Sequence, residues 1–184
     1  MFDWFGVLCS KVFQDWVDQN TLDSEGLRKL RNLADQLDLG RISLDAFYDS
    51  IGSAVNKPGL QCGAELYSMV RVDEEMSEIV RQLRKRHVVS VLSNIHVEFL
   101  AKILSDHPDI NPDVVMTSSE LGALKPDPLI FERARERLRV SFGDILFIDD
   151  SEANVIAARQ VGMVGLLFTA PSALKTELKI QGIL

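Results

Sequence analysis

Residues 145–154 read ILFIDDSEAN. Four apolar residues run straight into Asp149 and Asp150, so two carboxylates stand side by side where a buried strand stops. Adjacent acids repel each other, and a bound cation would offset that repulsion. The residues that follow, SEANVIAARQVG, carry a helical pattern closed by Gly162. Strand, acidic turn and helix form one β-to-α step.

The step repeats on both sides. EEMSEIVRQLRKR (74–86) reads as a helix, VVSVLS (88–93) as a buried strand, 96–105 as a helix and DVVMTS (113–118) as a strand. In DPLIFERARERLR, Asp127 suits the N-cap of a helix and Pro128 its first turn. MVGLLF (163–168) is the last strand, and PSALKTELKIQGIL a final amphipathic helix. Such alternation predicts an α/β fold, a Rossmann-like parallel sheet with helices on both faces. Residues 12–71 break the rhythm. They hold helical patterns, SEGLRKLRNLADQL and SLDAFYDSIGSAV, interrupted at Gly40 and at Lys57-Pro58-Gly59, and no strand. The expected organisation is an α/β core of residues 1–11 and 72–184 carrying a small all-helical cap insert at 12–71. Ahead of the insert lies only MFDWFGVL, a short strand-like piece ending in Gly6.

The chain's 20 lysines and arginines against 27 aspartates and glutamates give a net charge of −7. That balance argues against a nucleic acid or an anionic membrane as partner. Cys9 and Cys62 form neither a C-x-x-C pair nor a zinc pattern, and no signal-peptide pattern opens the sequence, so a cytoplasmic location is expected. No apolar run approaches the ~20 residues of a membrane helix.

In parallel sheets ligands bind beyond the carboxyl ends of the strands. Asp3 follows the first strand, Ser93 and Asn94 end the second, and Asp149 and Asp150 end a later one, with Lys125 in an intervening loop. Carboxylates that leave room for water suit Mg²⁺, and a phosphate bridged to that cation would need Lys125 and Ser93 on its other side. Each element has a bland alternative. The acidic pair also suits a helix cap, Ser93-Asn94 a turn, and Lys125-Pro126 an exposed loop. His87 and His107 read as surface residues, while His96 just after Asn94 leaves a substrate contact open.

Taken in order, FDWFGVL (2–8), VLSN (91–94), KPDPLIF (125–131) and ILFIDDSEANVIAARQVGM (145–163) resemble the four motifs of the haloacid dehalogenase superfamily, mostly Mg²⁺-dependent phosphatases. GRISLDAF (40–47) resembles the cap of its sugar-phosphate phosphatases. The resemblance implies a phosphate-monoester hydrolase acting on a small phosphorylated metabolite through an aspartyl-phosphate. Asp3 would be nucleophile and metal ligand, and the Phe5 carbonyl, Asp149 and Asp150 would complete the Mg²⁺ site. Ser93 and Asn94 would hold the phosphoryl oxygens, and Lys125 would neutralise charge.

Two departures accompany it. Phe5 stands where typical phosphatases of this superfamily carry a second aspartate as general acid and base, which predicts weakened proton transfer. Only Met1 and Phe2 precede Asp3, so the central strand is expected to be a stub, which a shortened start would explain. Two alternatives therefore stand beside the phosphatase: a 2-haloacid dehalogenase, in which an aspartate displaces halide, and a catalytically impaired relative that binds ligand.

Overall fold

The computed structural model describes residues 1–20 and 22–184. Four strands, β1 (Ser90–Ser93), β2 (Val114–Thr117), β3 (Leu146–Asp149) and β4 (Val164–Leu167), pair in parallel as β1 with β2 and β3 with β4. The first residues join the two pairs. Phe2 bridges Val91 on one side and Ile148 on the other, both in parallel. Its N–H donates to Ser90 at 2.8 Å, and the Asp3 N–H donates to Ile148 at 2.9 Å. The order is thus β2, β1, the Phe2 segment, β3, β4. The expected stub is what is seen. The Met1 amine points toward the amino ends of the strands, donating to the Leu146 carbonyl at 2.8 Å, and burial pushes its pKa down to about 5.

Alternation along the strands sends neighbours to opposite faces. Phe2, Val91 and Ile148 pack with Met76 and Val80 of α5 (Glu74–Leu83), Leu100 of α6 (Val97–Asp106) and Leu178 of α10 (Pro171–Ile180). Leu92, Met116 and Phe147 face the other way, onto Phe131 and Ala134 of α8 (Pro128–Leu138) and Ala158 of α9 (Glu152–Gln160). Phe131 meets Phe147 edge to face with centroids 5.4 Å apart. Helices cover both faces, as the sequence predicts. Asp127 caps α8 through the Leu129 N–H at 2.9 Å, with Pro128 in the first turn.

Among the described residues, 12–68 supply helices and no strand: α1 (Val12–Gln19), α2 (Ser24–Asp38), α3 (Leu44–Val55) and α4 (Gly59–Ser68). Asp23 and Ser43 cap α2 and α3 through the N–H groups of Gly26 and Ala46. The Lys57-Pro58-Gly59 break opens α4 directly, and α3 and α4 pack closely because Gly59 lies against the backbone of Asp49. Apolar contacts run without a gap from Trp16, Phe47 and Ile51 through Trp4 and Leu8 to Val91 and Ile148, so these helices share the core of the sheet. One short helix, α7 (Ser118–Leu121), is not among those expected from the sequence, although Thr117 caps it through the Glu120 N–H and Gly122 closes it with a positive φ. Its Ser118 hydroxyl donates to the Asp38 carbonyl at 2.6 Å and accepts from the Ile95 N–H at 2.9 Å, tying the end of α2 to the loop after β1.

Candidate active site

Asp3, Ser93 and Asp149 leave the sheet at the carboxyl ends of their strands. Lys125 lies among them with its side chain 1% exposed, and its Nζ sits 2.7 Å from Asp3 Oδ1 and 2.7 Å from Asp149 Oδ2. Its position is held from behind. The Asn94 side chain accepts the Lys125 N–H at 2.8 Å and donates to the Lys125 carbonyl at 3.0 Å. Asp149 is fixed in turn by the Ser151 N–H at 2.8 Å and by Asn154 Nδ2 at 3.1 and 3.0 Å. Asp3 Oδ1 also accepts the Trp4 N–H at 2.6 Å. Asp149 therefore helps to cap the turn into α9 and anchors Lys125 at the same time.

Asp150 lies nearer solvent and pairs with Lys11 Nζ at 2.5 Å. The carboxylates of Asp3, Asp149 and Asp150 each bring an oxygen within 4.8 Å of the others. Three carboxylates face two ammonium groups, so negative charge is in excess. Burial, opposed by Lys125 and reinforced by Asp149, raises the Asp3 pKa above the usual carboxylate range. A cluster of hard oxygen donors with surplus negative charge at a solvent-facing rim is the donor chemistry of Mg²⁺, and the residues present fit that ion. The Phe5–Gly6 backbone runs directly against it. Gly6 has φ +81°, and a Cβ there would collide with Asp150 Oδ2 and approach Lys11 Cε to 2.9 Å. Gly6→Ala is accordingly expected to weaken Mg²⁺ binding by about tenfold or more, measured by titration calorimetry.

Ser93 is buried, and its hydroxyl makes no hydrogen bond to a described residue. Phe5 stacks at a tilt on Phe99 with centroids 6.4 Å apart and lines a cavity of about 130 Å³. Its walls are mostly apolar, with Phe13, Phe47 and Phe99 among them, and Asn94, His96, Tyr48 and Asp38 are the polar members. A larger cavity of about 340 Å³ lies around Met1 and Leu146 at the amino ends of the strands, away from Asp3 and Lys125.

Asp38 is partly buried, and burial, with Asp35 adding to it, raises its pKa to about 7. A raised carboxyl pKa means that the fold holds the proton more tightly than the unfolded chain does. That contribution to stability is complete below the ordinary value of 3.8 and is lost as pH rises through about 7. Asp38→Asn is therefore expected to melt at a higher temperature than wild type at pH 8, with the difference closing as pH falls toward about 4.

Lys11, Asp38 and the clamping roles of Asn94 and Asn154 are absent from the sequence reading. Asn154 carries a weak signal, three residues into the turn of α9 that starts at the acidic pair. Lys11 and Asp38 carry none, because only contacts between segments far apart in the chain place them, Lys11 against Asp150 and Asp38 against Ser118.

The site is thus a carboxylate buried against a lysine at the rim of a parallel sheet, with further carboxylates beside it. Residues 1–162 match the haloacid dehalogenase-like hydrolase family, and the chain belongs to it. It is 31% identical over 150 residues to the sesquiterpene phosphatase astK of Aspergillus oryzae, covering 79% of this chain and 76% of that one. The bifunctional epoxide hydrolase 2 of Rattus norvegicus is 24% identical over 168 residues, 80% of this chain but 30% of the relative. A HAD family enzyme from Bacteroides thetaiotaomicron, solved with magnesium and inorganic phosphate, superposes with a TM-score of 0.76 at 23% identity, over 92% of each chain. No helix among the described residues is long and apolar enough to cross a membrane.

Proposed function

We propose that the protein is a Mg²⁺-dependent phosphate-monoester hydrolase that works through an aspartyl-phosphate on Asp3 and takes a small phosphorylated substrate with an apolar alcohol portion. The observation that carries the chemistry is Lys125 Nζ at 2.7 Å from both Asp3 and Asp149, with Asp150 alongside. Asp3 Oδ attacks phosphorus, the bond to the leaving oxygen breaks, and water then cleaves the acyl phosphate to release inorganic phosphate. Lys125 opposes charge on Asp3 and on the transferring group, while the Ser93 hydroxyl and the Asn94 N–H hold phosphoryl oxygens. Asp3, Asp150 and the Phe5 carbonyl, backed by Asp149, would hold Mg²⁺, which neutralises charge on the phosphoryl oxygens when bound. Helices α1–α4, spanning the insert at 12–71, act as the cap.

The apolar portion is supported by the cavity beside Phe5 and by the sesquiterpene phosphatase relative. Burying one methylene is worth about 0.8 kcal/mol, so lengthening an n-alkyl phosphate by one carbon should raise kcat/KM roughly fourfold until the cavity is full. Phosphate release from alkyl, sugar and aryl phosphates, with Mg²⁺ and with chelator, tests both points. Sugar phosphates turned over as well as alkyl phosphates would refute the apolar assignment, and turnover indifferent to Mg²⁺ would refute the metal assignment.

Phe5 and the Lys11–Asp150 pair favour a second reading, halide displacement by Asp3 with Lys11 occupying the cation's place. Halide release from a 2-haloacid in the presence of chelator distinguishes it.

A further inference from the structure

A departing alcohol needs a proton donor. Phe5, which lines the cavity, has no proton to give, and Asp149 and Lys125 are engaged with each other. The same cavity is also lined by Asp38, the last residue of α2. We propose that Asp38, carried by the cap, is the general acid that protonates the departing alcohol and then the base that activates the hydrolytic water.

Three observations place it. Among the described residues, Asp38 is the only Asp or Glu that lines the cavity that Phe5 and Asn94 also line. Its backbone carbonyl is tied through the Ser118 hydroxyl, at 2.6 Å, to the Ile95 N–H, two residues from Ser93. Among the described residues no hydrogen bond or ion pair engages its carboxyl, although it is partly buried, so both oxygens are free for substrate. Its elevated pKa, near 7, keeps a substantial protonated fraction at neutral pH. The groups around it are Asp35 on its own helix, Tyr48 on α3 and His96 at the start of α6. Glu120 on α7 is engaged with Thr117 and Arg137.

The step balances as follows. As the P–O bond breaks, its electron pair goes to the leaving oxygen, which takes the Asp38 proton and departs as neutral alcohol. The Asp38 carboxylate then takes a proton from the water that attacks the aspartyl-phosphate, and cleavage of the bond between phosphorus and Asp3 restores both residues. Because the acid rides on the cap, proton transfer is available only when the cap covers the site.

This inference rests on the phosphatase reading, and leaving-group chemistry tests it separately. An alkyl phosphate needs a proton donor, whereas p-nitrophenyl phosphate expels a stable anion and does not. With Mg²⁺ present, Asp38→Asn is expected to lower the ratio of hexyl phosphate to p-nitrophenyl phosphate kcat/KM, which reads only the steps through departure of the leaving group, by about 100-fold or more. The fall in hexyl phosphate kcat as pH rises past about 7 should disappear in the same variant. Loss of the base slows the shared hydrolysis of the aspartyl-phosphate and lowers kcat for both substrates, so the decision rests on kcat/KM: both substrates losing it equally, or neither losing any, would overturn the assignment. So would a pH break that survives in Asp38→Asn and vanishes in His96→Gln. No Mg²⁺-dependent turnover of p-nitrophenyl phosphate by the wild type would instead overturn the phosphatase reading, and the role of Asp38 with it.

Discussion

Asp3→Asn is expected to abolish Mg²⁺-dependent phosphate release, with a loss on the order of 10⁴-fold or more, while the protein stays folded. The amide has the shape of the carboxylate and still accepts the Trp4 N–H that Asp3 now takes at 2.6 Å. Lys125 keeps its pairing with Asp149 at 2.7 Å. What disappears is the anionic oxygen that attacks phosphorus, and an amide cannot replace it. Stability should hold or rise, because the buried Asp3 carboxylate is opposed by burial and by Asp149 before Lys125 offsets them. Phosphate assays paired with thermal melts check both halves. Residual activity within tenfold of wild type would mean that another group attacks phosphorus, and a large fall in melting temperature would mean that Asp3 acts chiefly as a structural partner of Lys125.

The parts of this site that were legible in the sequence are those fixed by short local patterns. Asp149 and Asp150 follow an apolar run that can only be a buried strand, and Ser93 follows another, so the sheet rule alone sends them to one rim. Lys125 became readable through Pro126, Asp127 and Pro128, which mark the loop and the start of α8. The helices at the insert were readable as helices, because their apolar periodicity and caps at Asp23 and Ser43 are local. What the chain just before those helices and the helices themselves bring to the rim was not. Lys11 and Asp38 meet their surroundings through contacts between segments far apart in the chain, Lys11 with Asp150 and Asp38 with Ser118, and no spacing rule encodes such pairs. Strand ends were overread by one or two residues for the same reason, since pairing partners rather than propensity decide where a ladder stops.

Lys125→Met is the substitution expected to damage stability and activity together. Met has nearly the length of the lysine side chain, so the volume against Phe147 is kept while the charge is removed. Lys125 Nζ lies 5.5 Å from that ring. Without the ammonium, Asp3 and Asp149 are left as buried carboxylates at one another's side. Removing one partner of a buried ion pair typically costs about 3–5 kcal/mol, because the remaining charge is uncompensated. For a chain of this size that corresponds to a fall in melting temperature of roughly 10 °C, measured without divalent cation. Turnover should fall by at least about 10²-fold, since the charge on the transferring group loses its counterpart. Combining Lys125→Met with Asp149→Asn separates the two effects. The second substitution removes the repulsion, and the amide can still engage Ser151 and Asn154, so most of the lost stability should return. Activity should not, because nothing then neutralises Asp3 and the phosphoryl group. A double variant that recovered turnover would show that Lys125 serves only to balance Asp149. Because Asp149 also backs the Mg²⁺ site, Asp149→Asn alone is the reference, and turnover in the double variant at least about tenfold below that reference, with stability recovered, places the ammonium in the reaction itself.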